Sequence, residues 1–212
     1  MPPWRNAGAA LLSCPQALNE RNLMTLMLIA GPAEEPVTLA EVRGFLRLDG
    51  VEENALVTAL ITAARTTLEA ETRRAFVTQG WRLVLDAWPG RDISLPLAPI
   101  VAVEAVRVDA GEGAVTLDPS VFDMDLGAEP PRIAARRGMR LAQPAAGIGG
   151  IEIDFTAGYG AAADVPEPLR QATLMLVAHW FEARGPVAFG ATAADIPLTV
   201  AALVAPYRRL KL

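Results

Sequence analysis

Hydrophobic positions along the chain change period twice. From Thr38 to about Arg74 they recur at helical spacing, from about Trp81 to Phe155 they alternate, and from Pro166 onward they are helical again. Thr38 and Glu41 stand at capping-box spacing, the hydroxyl serving the amide three residues on and the carboxylate reaching back. They predict a short helix ending near Asp49-Gly50, where glycine can supply a left-handed stop. A longer helix follows over about Glu52–Arg74, with Leu56, Val57, Leu60, Ile61, Ala64 and Leu68 on its apolar face. The two form a helical hairpin.

In the alternating region the sequence predicts short strands at Trp81–Leu85, Ile93–Leu95, Val101–Val108, Val115–Leu117, Val121–Met124, Ile133–Ala135 and Ile151–Phe155. Proline and glycine punctuate them, and Asp109 to Gly113 has hairpin-loop composition. A helix is expected over 166–184, apolar on two sides. Leu169, Ala172, Leu176, Trp180 and Ala183 make one seam, and Leu174, Val177 and Phe181 a second nearly opposite. A helix apolar all round has neighbours on both sides or lies in a membrane, and this one falls short of the ~20 apolar residues a span requires. The second seam, Leu174, Val177 and Phe181, is therefore a candidate subunit interface. A last helix is expected from about Leu198 to Tyr207. Pro206 interrupts it, leaving Arg208, Arg209, Leu210, Lys211 and Leu212 as a basic, apolar end.

These elements predict an α+β fold: a helical bundle, made of the hairpin plus two C-terminal helices, with a small antiparallel β module inserted. The expected divisions are a flexible leader over 1–35, a helical core from 36–79 and 157–212, and the β module over 80–156. Residues 1–23 carry Arg5, a short apolar run and Cys14, loosely like a lipoprotein signal. Their apolar core of about six residues falls below the usual ~7–15. A leader, or an over-extended gene start with Met24 or Met27 as the true start, is the expectation.

Composition narrows the function. The chain has 212 residues, is 52% hydrophobic and carries a net charge of −5. Its mean hydropathy of +0.28 suggests apolar surface kept for partners. The negative balance gives no global case for nucleic-acid binding. Lys211 is the one lysine and Cys14 the one cysteine, so no intrachain disulfide can form. His179 is the one histidine; within an apolar helix it reads as a core or interface residue, and no catalytic triad is expected around it unless a second chain contributes. No catalytic residue, metal site or cofactor is therefore expected. Asp123 and Asp125 share one side of a strand and could hold a hard cation, but the ordinary reading is a solvated strand face. Gly147 to Gly150 lacks the spacing of a nucleotide loop. Arg132, Arg136, Arg137 and Arg140 are the densest positive charge, a candidate face for an acidic partner or for a DNA channel contacted through phosphates alone.

Several stretches together resemble a known family. They are Gly158-Tyr159-Gly160, Val165-Pro166, Leu169-Arg170-Gln171-Ala172, and His179-Trp180-Phe181-Glu182 before Arg184-Gly185. Thr38 to Val42, Ile196-Pro197 and Val204 to Arg209 extend the likeness over roughly residues 36–212. The pattern resembles the head–tail connector (adaptor) proteins of long-tailed bacteriophages, prophages and gene transfer agents. The resemblance implies a helical core and a structural role in a virion or phage-like particle, assembled in the bacterial cytoplasm, with no membrane involved. It implies a homo-oligomeric ring, a dodecamer, beneath a portal protein, meeting stopper or tail-terminator proteins and leaving a channel that DNA passes without sequence readout. It also nominates Tyr207, Arg208, Arg209, Leu210, Lys211 and Leu212 as a portal-binding tail. The alternative is a DNA-binding packaging or regulatory module that reads through the hairpin 38–74, with Arg65, Arg73 and Arg74 as its contacts.

Overall fold

The computed structural model describes residues 24–90, 92–183 and 196–209. The helix α1 (Leu39–Leu46) opens on the capping box: Thr38 Oγ1 accepts the Glu41 amide at 3.1 Å, and Glu41 Oε2 accepts the Thr38 amide at 2.6 Å. It ends earlier than expected, because Arg47 rather than Gly50 takes the left-handed conformation, with φ 55°. The helix α2 (Asn54–Thr72) stops the same way on Arg73, with φ 54°. The helices α3 (Glu167–Glu182) and α4 (Leu198–Val204) complete the helical half, and a single 3₁₀ turn, Ala205–Tyr207, extends α4.

Eight strands follow the alternation closely. One sheet has the order β1 (Met24–Ala30), β2 (Gln79–Leu85), β8 (Ile151–Ala157), β4 (Ile100–Asp109), β5 (Ala114–Leu117), all antiparallel. A smaller sheet has the order β3 (Asp92–Ser94), β7 (Arg132–Ala135), β6 (Phe122–Asp125). The expectation of a flexible leader over 1–35 is corrected for residues 24–30, which pair with β2 from Met24↔Leu85 to Ala30↔Gly80. Residues 1–23 lie outside the described residues.

Two apolar clusters follow from these elements. The helical one packs Val42, Val57, Ile61, Leu68, Phe76, Leu169, Leu176, Val177, Val200 and Val204, and draws no residue from 80–156 among the described residues. The β cluster packs Leu83, Leu85, Ile93, Leu95, Val106, Val108, Phe122, Ile133, Ile151, Ile153 and Phe155. The junction between them is a backbone crossing. Thr78 N–H donates to Gly160 C=O at 2.9 Å, Tyr159 N–H to Phe76 C=O at 3.0 Å and Gly158 N–H to Pro99 C=O at 3.0 Å. Gly158 has φ 140°, and a Cβ there would sit 2.6 Å from the Thr78 backbone. Only glycine fits that approach.

On the open face of the larger sheet, Asp154 lies between two arginines. Its carboxylate accepts Arg82 Nε at 2.6 Å and Arg107 Nη1 at 2.6 Å, and Glu152 also meets Arg82 at 3.0 Å. The Arg82 hydrogen bond is the largest influence on Asp154 and holds its carboxyl below the usual carboxylate value. A depressed folded-state pKa contributes stability that is present above the unfolded pKa and lost as pH falls through the folded one. The Asp154→Asn variant should therefore melt a few degrees below the wild type at pH 7. Thermal melts across pH should show the gap constant above about pH 4 and closing below it.

Candidate partner-binding surfaces

The C-terminal segment is fastened to the body of the protein. Arg74 Nε donates to Tyr207 C=O at 2.8 Å, while its Nη2 meets both Glu129 carboxylate oxygens at 2.8 and 3.0 Å. Arg209 Nη1 donates to Leu95 C=O at 3.2 Å and its Nε lies 3.6 Å from Glu129. Arg208 pairs with Glu71. The Arg209 side chain is only 11% exposed, and burial pulls its guanidinium below the usual arginine value. Tyr207, Arg208 and Arg209 are thus not free to extend, contrary to the expectation for the tail. Proline did end α4, but Glu71 and Glu129 capture the residues after it. Leu210, Lys211 and Leu212 lie outside the described residues.

On α3, Leu169, Ala172 and Leu176 of the first seam are fully buried, whereas Trp180 is half-buried and Ala183, just past the helix, is exposed. Val177, expected at a subunit interface, is also fully buried in the chain's own core. Correction follows for Val177 alone: α1, α2 and α4 all pack on this helix and Val177 is buried among the chain's own residues, so a second seam does not require a second chain. Leu174 and Phe181 are half-buried and pack at the rim of the same cluster. His179 is exposed rather than in the chain's core.

The arginine cluster is partly neutralised. Arg132 pairs with Asp125 at 3.3 Å and Arg136 with Asp123 at 3.1 Å, across β6 and β7. The two aspartates considered for a cation therefore face guanidinium groups, and no cluster of three or more His, Cys, Asp or Glu suited to a metal occurs among the described residues. Arg137 and Arg140 are exposed, with no ion pair among the described residues. The hairpin reader fares poorly as well. Arg65 is buried between Glu35, at 2.7 Å, and Glu69, at 2.8 Å, and Arg74 is engaged by Glu129. Of its three contacts only Arg73 is exposed.

One surface was not anticipated from the sequence. Beneath β1, between that strand and α2, lies a groove of about 380 Å³ lined by Leu26, Leu28, Ala70, Arg73, Trp81 and Leu97, among others. Within its lining, Trp81 Nε1 and Gln79 Oε1 are buried without hydrogen-bond partners, a costly condition for polar atoms. The strand β1 above it is uncharged, and Met24, Met27, Leu28 and Ile29 are each about half exposed. The lack of alternation in Met24–Ala30 is the signal that could have marked an edge strand open on both faces.

No family model matches the chain, and no curated protein sequence matches it. Solved structures do. A protein in the neck of an empty gene transfer agent particle, computed with C6 symmetry, shares 32% identity and a TM-score of 0.74, covering 89% of this chain and 97% of its own. A protein in the virion of a native gene transfer agent particle has the same identity, coverage and TM-score. A neck protein of a native particle, computed with C12 symmetry, shares 31% identity over the same fractions at a TM-score of 0.72. The chain belongs to the head–tail connector family.

For this connector the anchored C-terminal segment yields a prediction. Removing residues 207–212 strips Arg209 and Arg208 from Glu129 and Glu71. The loss of hydrogen bonds to charged groups should cost roughly 2–3 kcal/mol, or about 4–12 °C in Tm for a chain of this size. Removing only residues 210–212 should leave Tm within about 1 °C. Calorimetry of the two truncations against the full chain checks both.

Proposed function

We propose that this connector forms the adaptor ring at the head–tail junction of a tailed phage or gene transfer particle, seated beneath the portal and offering a new surface to stopper or tail-terminator proteins. The observation that carries the reading is the identity of about one third over nearly the whole length of gene transfer agent neck proteins. The protein works by assembly, without chemistry of its own, and its copies close around a bore that DNA crosses through phosphate contacts alone. Ring copies related by a single rotation meet through two different surfaces, and a twelvefold arrangement accords with the symmetry of one matched neck.

Within that reading the surfaces acquire roles. Arg137 and Arg140, the uncompensated pair of the arginine cluster, suit the channel or an acidic neighbour. Leu210, Lys211 and Leu212 follow directly on the fastened Arg209 and suit a groove on the portal, with Tyr207 to Arg209 as their base. Leu174 and Phe181, at the rim of α3, suit the neighbouring copy.

Copurification with the portal protein, followed by electron microscopy, should show a ring of connector on the portal. Deleting residues 210–212 should abolish attachment; full occupancy by that truncation would remove the tail's role. Phe181→Asp should leave the monomer folded and prevent ring closure. Val177→Asp should unfold the chain, costing several kcal/mol for a buried unpaired carboxylate. Circular dichroism of the isolated variants distinguishes the two.

A further inference from the structure

The groove beneath β1 and the turn between α1 and α2 stand at opposite ends of α2, and their chemistry is complementary. The groove is apolar, with Leu28, Trp81 and Leu97 in its lining and Arg73, exposed and without an ion pair among the described residues, beside them. The turn at the other end is an apolar, acidic knob. Val51 at its tip is 64% exposed, Phe45 and Leu56 beside it are 46% and 41% exposed, and Asp49 and Glu52 are exposed. The exposed carboxylates of Asp49 and Glu52 flank this tip, and Arg43 is engaged by the turn itself. Its Nη2 donates to Gly50 C=O at 2.8 Å and approaches the carbonyls of Leu48 and Asp49 at 3.5 Å each. That bracing fixes the knob's shape before it meets anything, which lowers the ordering cost of association.

We propose that in the adaptor ring the α1–α2 turn of one copy, with Val51 and Glu52 at its tip, seats in the groove beneath β1 of the next. Val51 enters against Leu28, Trp81 and Leu97, and Glu52 or Asp49 meets Arg73. Such a contact is head-to-tail, the kind that closes rings. The other use of these edges, a sheet running from β5 of one copy to β1 of the next, conflicts with a ring. Five strands twisting about 20–25° each turn the strand direction by roughly 100–125° per copy, whereas a twelvefold ring rotates neighbours by about 30°. The occupancy of the groove by a second copy rests on the ring reading; its contact residues can be tested without the portal's identity.

Disulfide trapping decides the matter. In a Cys14→Ser background, Val51→Cys and Ala70→Cys are placed on one chain, Ala70 being an exposed groove residue. The full-length protein is oxidised at high concentration with and without purified portal, then run on non-reducing gels. A ladder of multimers ending in a closed ring is expected from the double variant, while each single-cysteine variant should give at most dimers. Arg73→Glu in the double variant should lower ladder yield several-fold, and adding Glu52→Arg should restore it. Absence of a ladder in both samples would overturn the contact, as would an Ala70→Cys thiol shielded from maleimide in the monomer, since the chain's own segment would then fill the groove. Portal copurification, scored separately, shows whether a failure belongs to this contact or to the adaptor reading.

Discussion

A buried carboxylate, Glu69, joins the two halves of this protein. Its Oε1 accepts the Phe76 amide at 2.8 Å and Gln79 Nε2 at 2.6 Å, and its Oε2 accepts Arg65 at 2.8 Å. Phe76 belongs to the helical core, Gln79 opens β2, and Arg65 reaches on to Glu35 beyond β1. One side chain thus fixes where α2 ends, where the sheet begins and where the N-terminal strand returns. Burial is the largest influence on Glu69 and raises its pKa despite these donors. Removing one partner of such a group is expensive, because it strands the others in a poor solvent.

Around that hub, charge is organised by neutralisation. Arg82 and Arg107 converge on Asp154, Arg132 and Arg136 meet Asp125 and Asp123, and Arg74 and Arg209 share Glu129. An arginine's fork matches a carboxylate geometrically, so an arginine-rich chain can hold its surface together with these pairs. The arginines without an ion pair among the described residues become informative: Arg43 and Arg47 at the α1–α2 turn, Arg73 beside the groove, and Arg137 and Arg140 beyond β7. For a protein whose work is geometric, that division matters. Internal pairs set the shape, and the few uncommitted charges are available to neighbours.

Most of the element order was legible because period carries it. Seven of the eight strands and all four helices fall where alternation or helical spacing puts them, and Thr38 with Glu41 marks the first helix start to the residue. Misreadings came where tertiary contacts override pattern. Met24–Ala30 does not alternate because neither face of β1 is fully covered, so it looked like leader. Val177 looked like interface because a single sequence cannot say that α2 and α4 both flank α3. Tyr207 to Arg209 looked like a loose end because the partners that fix Arg209, Glu129 and Leu95, lie 80 and 114 residues away in sequence. The groove had no sequence signal of its own, since it arises where β1, α2 and the Pro96–Leu97 segment fail to meet.

The two left-handed arginines bear on how shape and function are balanced. Both helices of the hairpin end on a residue with positive φ, Arg47 and Arg73, where glycine would adopt the same backbone without a Cβ penalty. Each site costs on the order of 1 kcal/mol relative to glycine. At Arg73 the backbone has structural work: its carbonyl accepts the Ala98 amide at 3.2 Å, tying α2 to the segment before β4. That work needs only the backbone, so it does not explain the side chain. The side chain's position beside the apolar groove, without an ion pair among the described residues, is the remaining difference from glycine. A strained residue whose side chain has no ion pair among the described residues points outward, to the surface where a neighbouring copy would supply a carboxylate.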